Sequence, residues 1–144
     1  MRRSNRGVVA GLMMAGVLPL ACNEKLDPVR TSLPARVERQ EGTTVSRVIL
    51  SARAAERLDI QTAPIRDAGT TQRTVIPYSA LIYDLHGDTW AYTNPAPLTF
   101  VRQRIRVDRI DADVALLSDG PPVGTAVVTV GAAELFGIEF GVGK

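Results

Sequence analysis

From Val45 onward the chain is a series of short apolar segments separated by turn residues at regular spacing. This pattern is typical of an all-β unit rather than of alternating helices and strands. Ser51 is expected to cap one short helix that ends at Leu58, because serine is a preferred N-cap residue. We therefore predict a mainly β fold over residues 46–144, a small antiparallel β-barrel or sandwich-like domain with one short helix and one modest hydrophobic core. The turn signals lie at residues 67–71, 85–88, 94–97, 111–113 and 119–122.

The clearest alternation of side chains runs through residues 98–107, where apolar residues and arginines occupy opposite faces of a predicted strand. This predicts an outward-facing row of three arginines, Arg102, Arg104 and Arg106, with Arg109 nearby. Such a row could bind an acidic partner, lipid phosphates or a cell-wall polymer. The alternative is a solvated edge strand whose charges prevent aggregation. In that interpretation the arginines pair with four aspartates of the following segments, Asp108, Asp111, Asp113 and Asp119.

The first 21 residues have the pattern of a secretory signal peptide. Arg2, Arg3 and Arg6 precede an apolar stretch, residues 7–21, that is too short and too rich in glycine to span a bilayer comfortably. The only cysteine of the chain, Cys22, follows this stretch directly. Residues 22–45 are polar, with prolines and scattered charges, and are predicted to form a flexible tether.

The net charge argues against nucleic acid as a partner. The chain has 17 Lys and Arg against 15 Asp and Glu, with a calculated pI of about 9.0. Without the three arginines of the predicted signal peptide the formal charge falls from +2 to about −1. An exported domain of that charge lacks the excess basicity that phosphate binding requires.

The residues that could support catalysis are isolated from one another in the sequence. His86 is the only histidine and stands in a predicted turn, and the serines lack the G-x-S-x-G context of a nucleophile. The acidic residues lack the spacing of an EF-hand, and one cysteine with one histidine does not suggest a metal site. The aromatic side chains could line a ligand pocket, but aromatics at alternating strand positions are more often part of the core. They are Tyr78, Tyr83, Trp90, Tyr92 and Phe100. We therefore predict a protein that is not an enzyme and that uses no metal or cofactor.

The residues before Cys22, LPLA, resemble the lipobox of bacterial lipoproteins. Ala21 matches the small residue of that motif, whereas Pro19 stands where the family usually has leucine. The resemblance implies that Cys22 becomes the lipidated first residue of the mature chain. The alternative is an ordinary buried thiol. If Cys22 is lipidated, the protein is expected to be exported and anchored to a membrane of the cell envelope, on the periplasmic or extracytoplasmic face.

An ordered series of segments resembles the C-terminal membrane-proximal domain of the periplasmic adaptor subunits of RND-type efflux pumps, the membrane fusion proteins. The segments are residues 75–82 (VIPYSALI), 87–92 (GDTWAY), 100–107 (FVRQRIRV), 113–120 (DVALLSDG), 124–128 (GTAVV) and 130–135 (VGAAEL). Residues 49–51 and 57–65 resemble a segment near the start of such adaptors, with Asp59 where the family usually has glycine. A full adaptor would insert lipoyl-like, α-hairpin and β-barrel domains between Ile65 and Val75, where this chain has only a short connection.

The resemblance implies a truncated, lipid-anchored form of the adaptor domain. Its function would be that of a non-catalytic accessory or binding subunit of an inner-membrane transporter. The alternative is a stand-alone envelope module that binds a cell-wall polymer or a small ligand through the arginine face and has no transporter partner.

Overall fold

The computed structural model describes residues 33–69 and 73–142. Within them the fold is mainly β, with antiparallel strands and two α-helices, so the predicted fold class is confirmed. The strands are β1 (Ala35–Arg39), β2 (Ser46–Leu50), β3 (Gln61–Pro64), β4 (Arg66–Asp67), β5 (Thr74–Pro77), β6 (Ile82–Tyr83), β7 (Thr89–Ala96), β8 (Thr99–Arg104), β9 (Arg106–Asp111), β10 (Val114–Asp119) and β11 (Ala126–Val130). The helices are α1 (Ala52–Arg57) and α2 (Ala132–Phe140), and Tyr78–Ala80 form a 3₁₀ turn.

The strands form two sheets. The larger has the order β1-β2-β8-β7-β11-β3, with β6 paired to β7 beside β11. The smaller has the order β4-β5-β10-β9. Pro64 lies in β3, at an edge of the larger sheet, as expected for a residue that has no N–H to donate to a ladder.

The larger sheet is buried on both faces. In β7, Ala91 packs in a cluster with Leu117 of the smaller sheet, whereas its neighbour Tyr92 packs in a second cluster with Leu135 of α2. The prediction of one modest core is therefore wrong, because two clusters lie on opposite sides of the sheet. The nearly continuous apolar run of β11, AVVTV, agrees with a strand covered on both faces.

Helix α1 begins where the sequence indicates. The Ser51 hydroxyl accepts a hydrogen bond from the backbone N–H of Ala54 at 3.2 Å, which confirms Ser51 as the N-cap. The helix ends at Arg57, and the C-cap is Leu58.

The predicted flexible tether, residues 22–45, is wrong at its C-terminal end. Residues 35–39 form β1, which pairs antiparallel with β2 from Ala35↔Leu50 to Arg39↔Ser46. This strand needs little apolar surface, because its partner supplies backbone hydrogen bonds and Ala35 supplies its contact with the core. The predicted signal peptide, Cys22 and the first part of the tether lie outside the described residues.

The sequence predicted one short helix, and the second, α2, is a correction. Gly131 precedes it with φ of 87°, a conformation that glycine adopts without strain. Ala132 and Leu135, three positions apart on one face, are buried against the larger sheet. The helix is short and contains Gly137, so its sequence carries a weak helical signal.

Candidate functional site

The predicted arginine row is wrong as a single outward face. Arg102 and Arg104 lie in β8 of the larger sheet, whereas Arg106 and Arg109 lie in β9 of the smaller sheet. The buried residue Ile105 stands where the chain passes from one sheet to the other. Alternation placed the arginines on one side of a strand, but it could not show that α2 covers that side at Arg102.

Arg102 is instead part of a buried polar cluster that joins α2 to the larger sheet. Its side chain is 8% exposed, and its Nε donates to Oε1 of Glu139 at 3.0 Å. The Glu139 side chain is 3% exposed. It also accepts hydrogen bonds from the Tyr92 hydroxyl at 2.5 Å and the Ser46 backbone N–H at 3.2 Å. We call these four residues, Ser46, Tyr92, Arg102 and Glu139, the Glu139 cluster.

Aromatic rings enclose the guanidinium group of Arg102. Its central carbon lies 4.3 Å from the centroid of the Trp90 ring and 5.0 Å from that of Phe140. Phe140 in turn packs on Phe136, with 4.6 Å between ring centroids. Contacts of this geometry add cation–π attraction to the ion pair, and they are stronger where water is excluded. Arg102 of β8 is therefore held by helix α2 and strand β7.

The proton of the Tyr92 hydroxyl is held firmly in this cluster. Burial raises the pKa of Tyr92, and the hydrogen bond to Glu139 and its negative charge raise it further, against the opposing charge of Arg102. Tyr92 thus keeps its proton and donates it in the hydrogen bond to Glu139. The arrangement performs a structural task, the attachment of α2, and leaves no reactive group exposed.

The other predicted arginines have different surroundings. Arg104 pairs with Asp88, whereas Arg106 and Arg109 are exposed and form no ion pair with any described residue. Asp108 pairs with Arg73 at 2.5 Å rather than with one of the predicted arginines. The predicted pairing of the arginine row with Asp108, Asp111, Asp113 and Asp119 is therefore wrong for the described part of the chain, and Arg104 pairs with a different aspartate.

The β6–β7 hairpin presents an apolar side chain on a tightly built loop, residues 84–88, which we call the Leu85 loop. Asp84 Oδ1 accepts from the backbone N–H groups of His86 and Asp88 at 2.9 and 3.0 Å. Asp84 Oδ2 accepts from the indole N–H of Trp90 at 3.0 Å. His86 lies in the turn, as predicted, and its side chain is 86% exposed.

The Asp84 carboxylate is stabilised in its charged form. Desolvation raises its pKa, but the hydrogen bonds from Trp90 and from the backbone of His86 and Asp88 outweigh that effect, so the pKa lies below the usual value. Gly87, with φ of 81°, closes the turn and donates to the Asp84 carbonyl at 3.1 Å. Leu85, within this network, is 100% exposed. Tyr83 beside it is 52% exposed and Tyr78 is 47% exposed, so the expectation that these two aromatics lie in the core is wrong. The loop therefore offers an apolar contact in a defined conformation.

The described residues offer neither a metal site nor a membrane-spanning helix. In residues 33–69 and 73–142 no three His, Cys, Asp or Glu side chains are grouped so as to hold a metal ion. None of the helices in the same residues is long and apolar enough to cross a membrane.

Comparison with family models, with curated proteins and with solved structures finds no match to this chain. The resemblance to efflux adaptors therefore depends on the sequence segments alone. Of the Leu85 loop, only Gly87 and Asp88 belong to one of these segments, residues 87–92, and Leu85 itself lies between two of them.

Sequence reasoning predicted the turn at His86 but missed its apolar tip. A leucine in a predicted turn could have drawn attention to it, because turns are mostly polar. Glu139 was also missed, because its partners are distant in the sequence and α2 was not predicted.

Proposed function

We propose that this chain is a non-catalytic binding subunit of the cell envelope that is anchored by lipid on Cys22 and contacts an inner-membrane transporter. The identity of the partner rests on the resemblance to the membrane-proximal domain of RND efflux adaptors. The anchor rests on the signal-peptide pattern and on the position of Cys22 after it. The observation in the structure that carries a binding function is the Leu85 loop.

Leu85 is suited to contact another protein. A leucine side chain that moves from water into an interface contributes about 1.5–3 kcal/mol. Asp84 fixes the loop through three accepted hydrogen bonds before any partner arrives. A preorganised loop loses little conformational entropy on binding, so more of the contact energy remains as affinity. Tyr83, half-exposed beside it, extends the apolar surface.

The anchor would keep this loop near the bilayer. Residues 23–34 separate Cys22 from the first residue of β1. Even fully extended, a chain of that length spans no more than about 45 Å. Acyl chains contribute about 0.8 kcal/mol per buried methylene, so more than one chain gives durable attachment. Confinement to this layer raises the effective concentration of the domain at a membrane partner.

The alternative function, binding of a cell-wall polymer or small ligand through the arginine row, has less support. Arg102 is buried in the Glu139 cluster, and Arg104 is paired with Asp88. Of the four arginines on which that alternative depended, only Arg106 and Arg109 are exposed and form no ion pair with a described residue.

The anchor is tested with Cys22→Ala. We expect wild-type protein to sediment with the membranes and the variant to lose acylation, which mass spectrometry of the intact chain measures directly. Extraction of membranes with high salt and with detergent separates lipid anchoring from electrostatic attachment. Wild-type protein that carries no acyl group, or that salt alone releases, would contradict the anchor.

A further inference from the structure

Strand β9 is a free edge of the smaller sheet. Its sequence is RVDRID, and five of its six residues are exposed. On one side β9 pairs with β10, and no described strand pairs with its other side. Its outer row of backbone N–H and C=O groups is therefore available to another strand.

The sequence of β9 is complementary to itself when it is read in the antiparallel direction. If Arg106 is placed opposite Asp111 of a second copy, Val107 faces Ile110, and Asp108 and Arg109 of the two copies meet at the two-fold axis. The charged residues at both ends of the strand then face opposite charges, and the two apolar residues face each other. Directly opposed charges and apolar pairs stabilise antiparallel strands, whereas like charges destabilise them.

A β-bulge in β9 makes this pairing compatible with two-fold symmetry. Val107 lies opposite Leu117, and Ile110 lies opposite Ala115, although Asp108 and Arg109 separate the two β9 residues. Leu117 and Ala115 are two residues apart in β10 and both belong to the hydrophobic core. Val107 and Ile110 therefore share the core face of the sheet and occupy equivalent positions in its hydrogen-bond ladder.

Equivalent ladder positions are what a symmetric strand pair requires. In a two-fold dimer, the contact of Val107 with Ile110 of the second copy occurs twice, so both residues must present the same hydrogen-bonding phase. In a regular strand, residues an odd number of positions apart point their side chains to opposite faces of the sheet. Their backbone N–H and C=O groups also point to opposite neighbouring strands. The extra residue in β9 removes that difference. Ile110 is 46% exposed, so it has apolar surface left to bury.

We propose that β9 pairs antiparallel with β9 of a second copy and joins the two smaller sheets across a two-fold axis. The partner at this edge is a second copy of the chain, because the charges of β9 are complementary to those of another β9 that runs in the opposite direction. Bulges and charges also protect edge strands from pairing. A protective row of one sign would repel a second copy, whereas the alternating signs of β9 attract it. The proposal does not depend on Cys22 or on a transporter.

Charge exchange at the ends of the strand tests this register. Arg106→Asp places two aspartates opposite each other twice in the dimer, and Asp111→Arg does the same with arginines. Neither residue forms an ion pair with a described residue, so the fold is expected to persist. The double variant Arg106→Asp/Asp111→Arg restores opposite charges at both positions. Arg66→Asp, an exposed substitution in β4 at the other edge of the same sheet, is the matched control.

The measurement is sedimentation equilibrium of the full chain in a density-matched detergent, with circular dichroism to verify folding. We expect the wild type and Arg66→Asp to form dimers, each single β9 variant to dimerise at least about tenfold more weakly, and the double variant to recover. A monomeric wild type would overturn the proposal. So would a dimer that the single variants leave unchanged, or one that the double variant fails to restore.

Discussion

Replacement of Glu139 by alanine is expected to lower the free energy of unfolding by about 3–5 kcal/mol, the usual cost of removing one partner from a buried ion pair. The substitution leaves the guanidinium of Arg102 without its carboxylate at a site where the side chain is 8% exposed. It also removes the acceptor for the Tyr92 hydroxyl and the Ser46 N–H. A buried group without a partner bears the full cost of its lost hydration.

Urea unfolding followed by Trp90 fluorescence measures this effect, because Trp90 is the only tryptophan and stacks on Arg102. Tyr92→Phe is a graded comparison. It removes one hydrogen bond and keeps the ion pair, with an expected loss of about 1 kcal/mol. The control is Glu134→Ala, an exposed glutamate in the first turn of the same helix, with an expected loss below about 1 kcal/mol. If Glu139→Ala costs no more than this control, the Glu139 cluster does not hold α2.

Gly131→Ala is expected to destabilise the protein by about 1–3 kcal/mol, because it combines backbone strain with a clash. Gly131 has φ of 87°, and a Cβ atom there would lie 2.2 Å from Cδ1 of Ile60. Ile60 packs against the same core cluster as α2, so its movement disturbs that packing. The change acts at the junction between β11 and α2.

The matched substitution is Gly137→Ala, in the same helix. A Cβ at Gly137 has no atom within 4 Å apart from the helix backbone and chain neighbours. Alanine is the better helix former, so this variant is expected to gain about 0.5–1 kcal/mol. Thermal and urea unfolding of the two variants give opposite signs if α2 is placed correctly. The same sign for both would contradict the described position of the helix.

Several elements of the fold could be predicted because their signals are local. Ser51 identifies the start of α1, and the turn at His86 and Gly87 identifies the β6–β7 hairpin. Each depends on residues close together in the sequence: a cap on the N–H groups of the next turn, or a turn on its own backbone bonds. The mainly β class follows from the repetition of such short units.

The remaining features depend on contacts between distant parts of the chain. Strand β1 exists because β2 accepts it as a partner, and its own sequence carries a weak pattern. Arg102 was expected to face solvent because alternation indicates the face of a strand but not what covers that face. Its cover is α2, with Glu139 37 residues away in the sequence. The hydrophobic pattern of a short segment does not show which distant residues it will contact.

The central claim, that the protein binds an inner-membrane transporter through the Leu85 loop, is tested most directly by photo-crosslinking in intact cells. The photoreactive residue p-benzoylphenylalanine replaces Leu85, and in a control it replaces Glu56, an exposed residue of α1. Crosslinked partners are purified from solubilised membranes and identified by mass spectrometry. We predict that position 85 captures a polytopic inner-membrane transporter and that position 56 does not. Absence of any transporter among the adducts from position 85, with the protein present in the membranes, would contradict the proposed function.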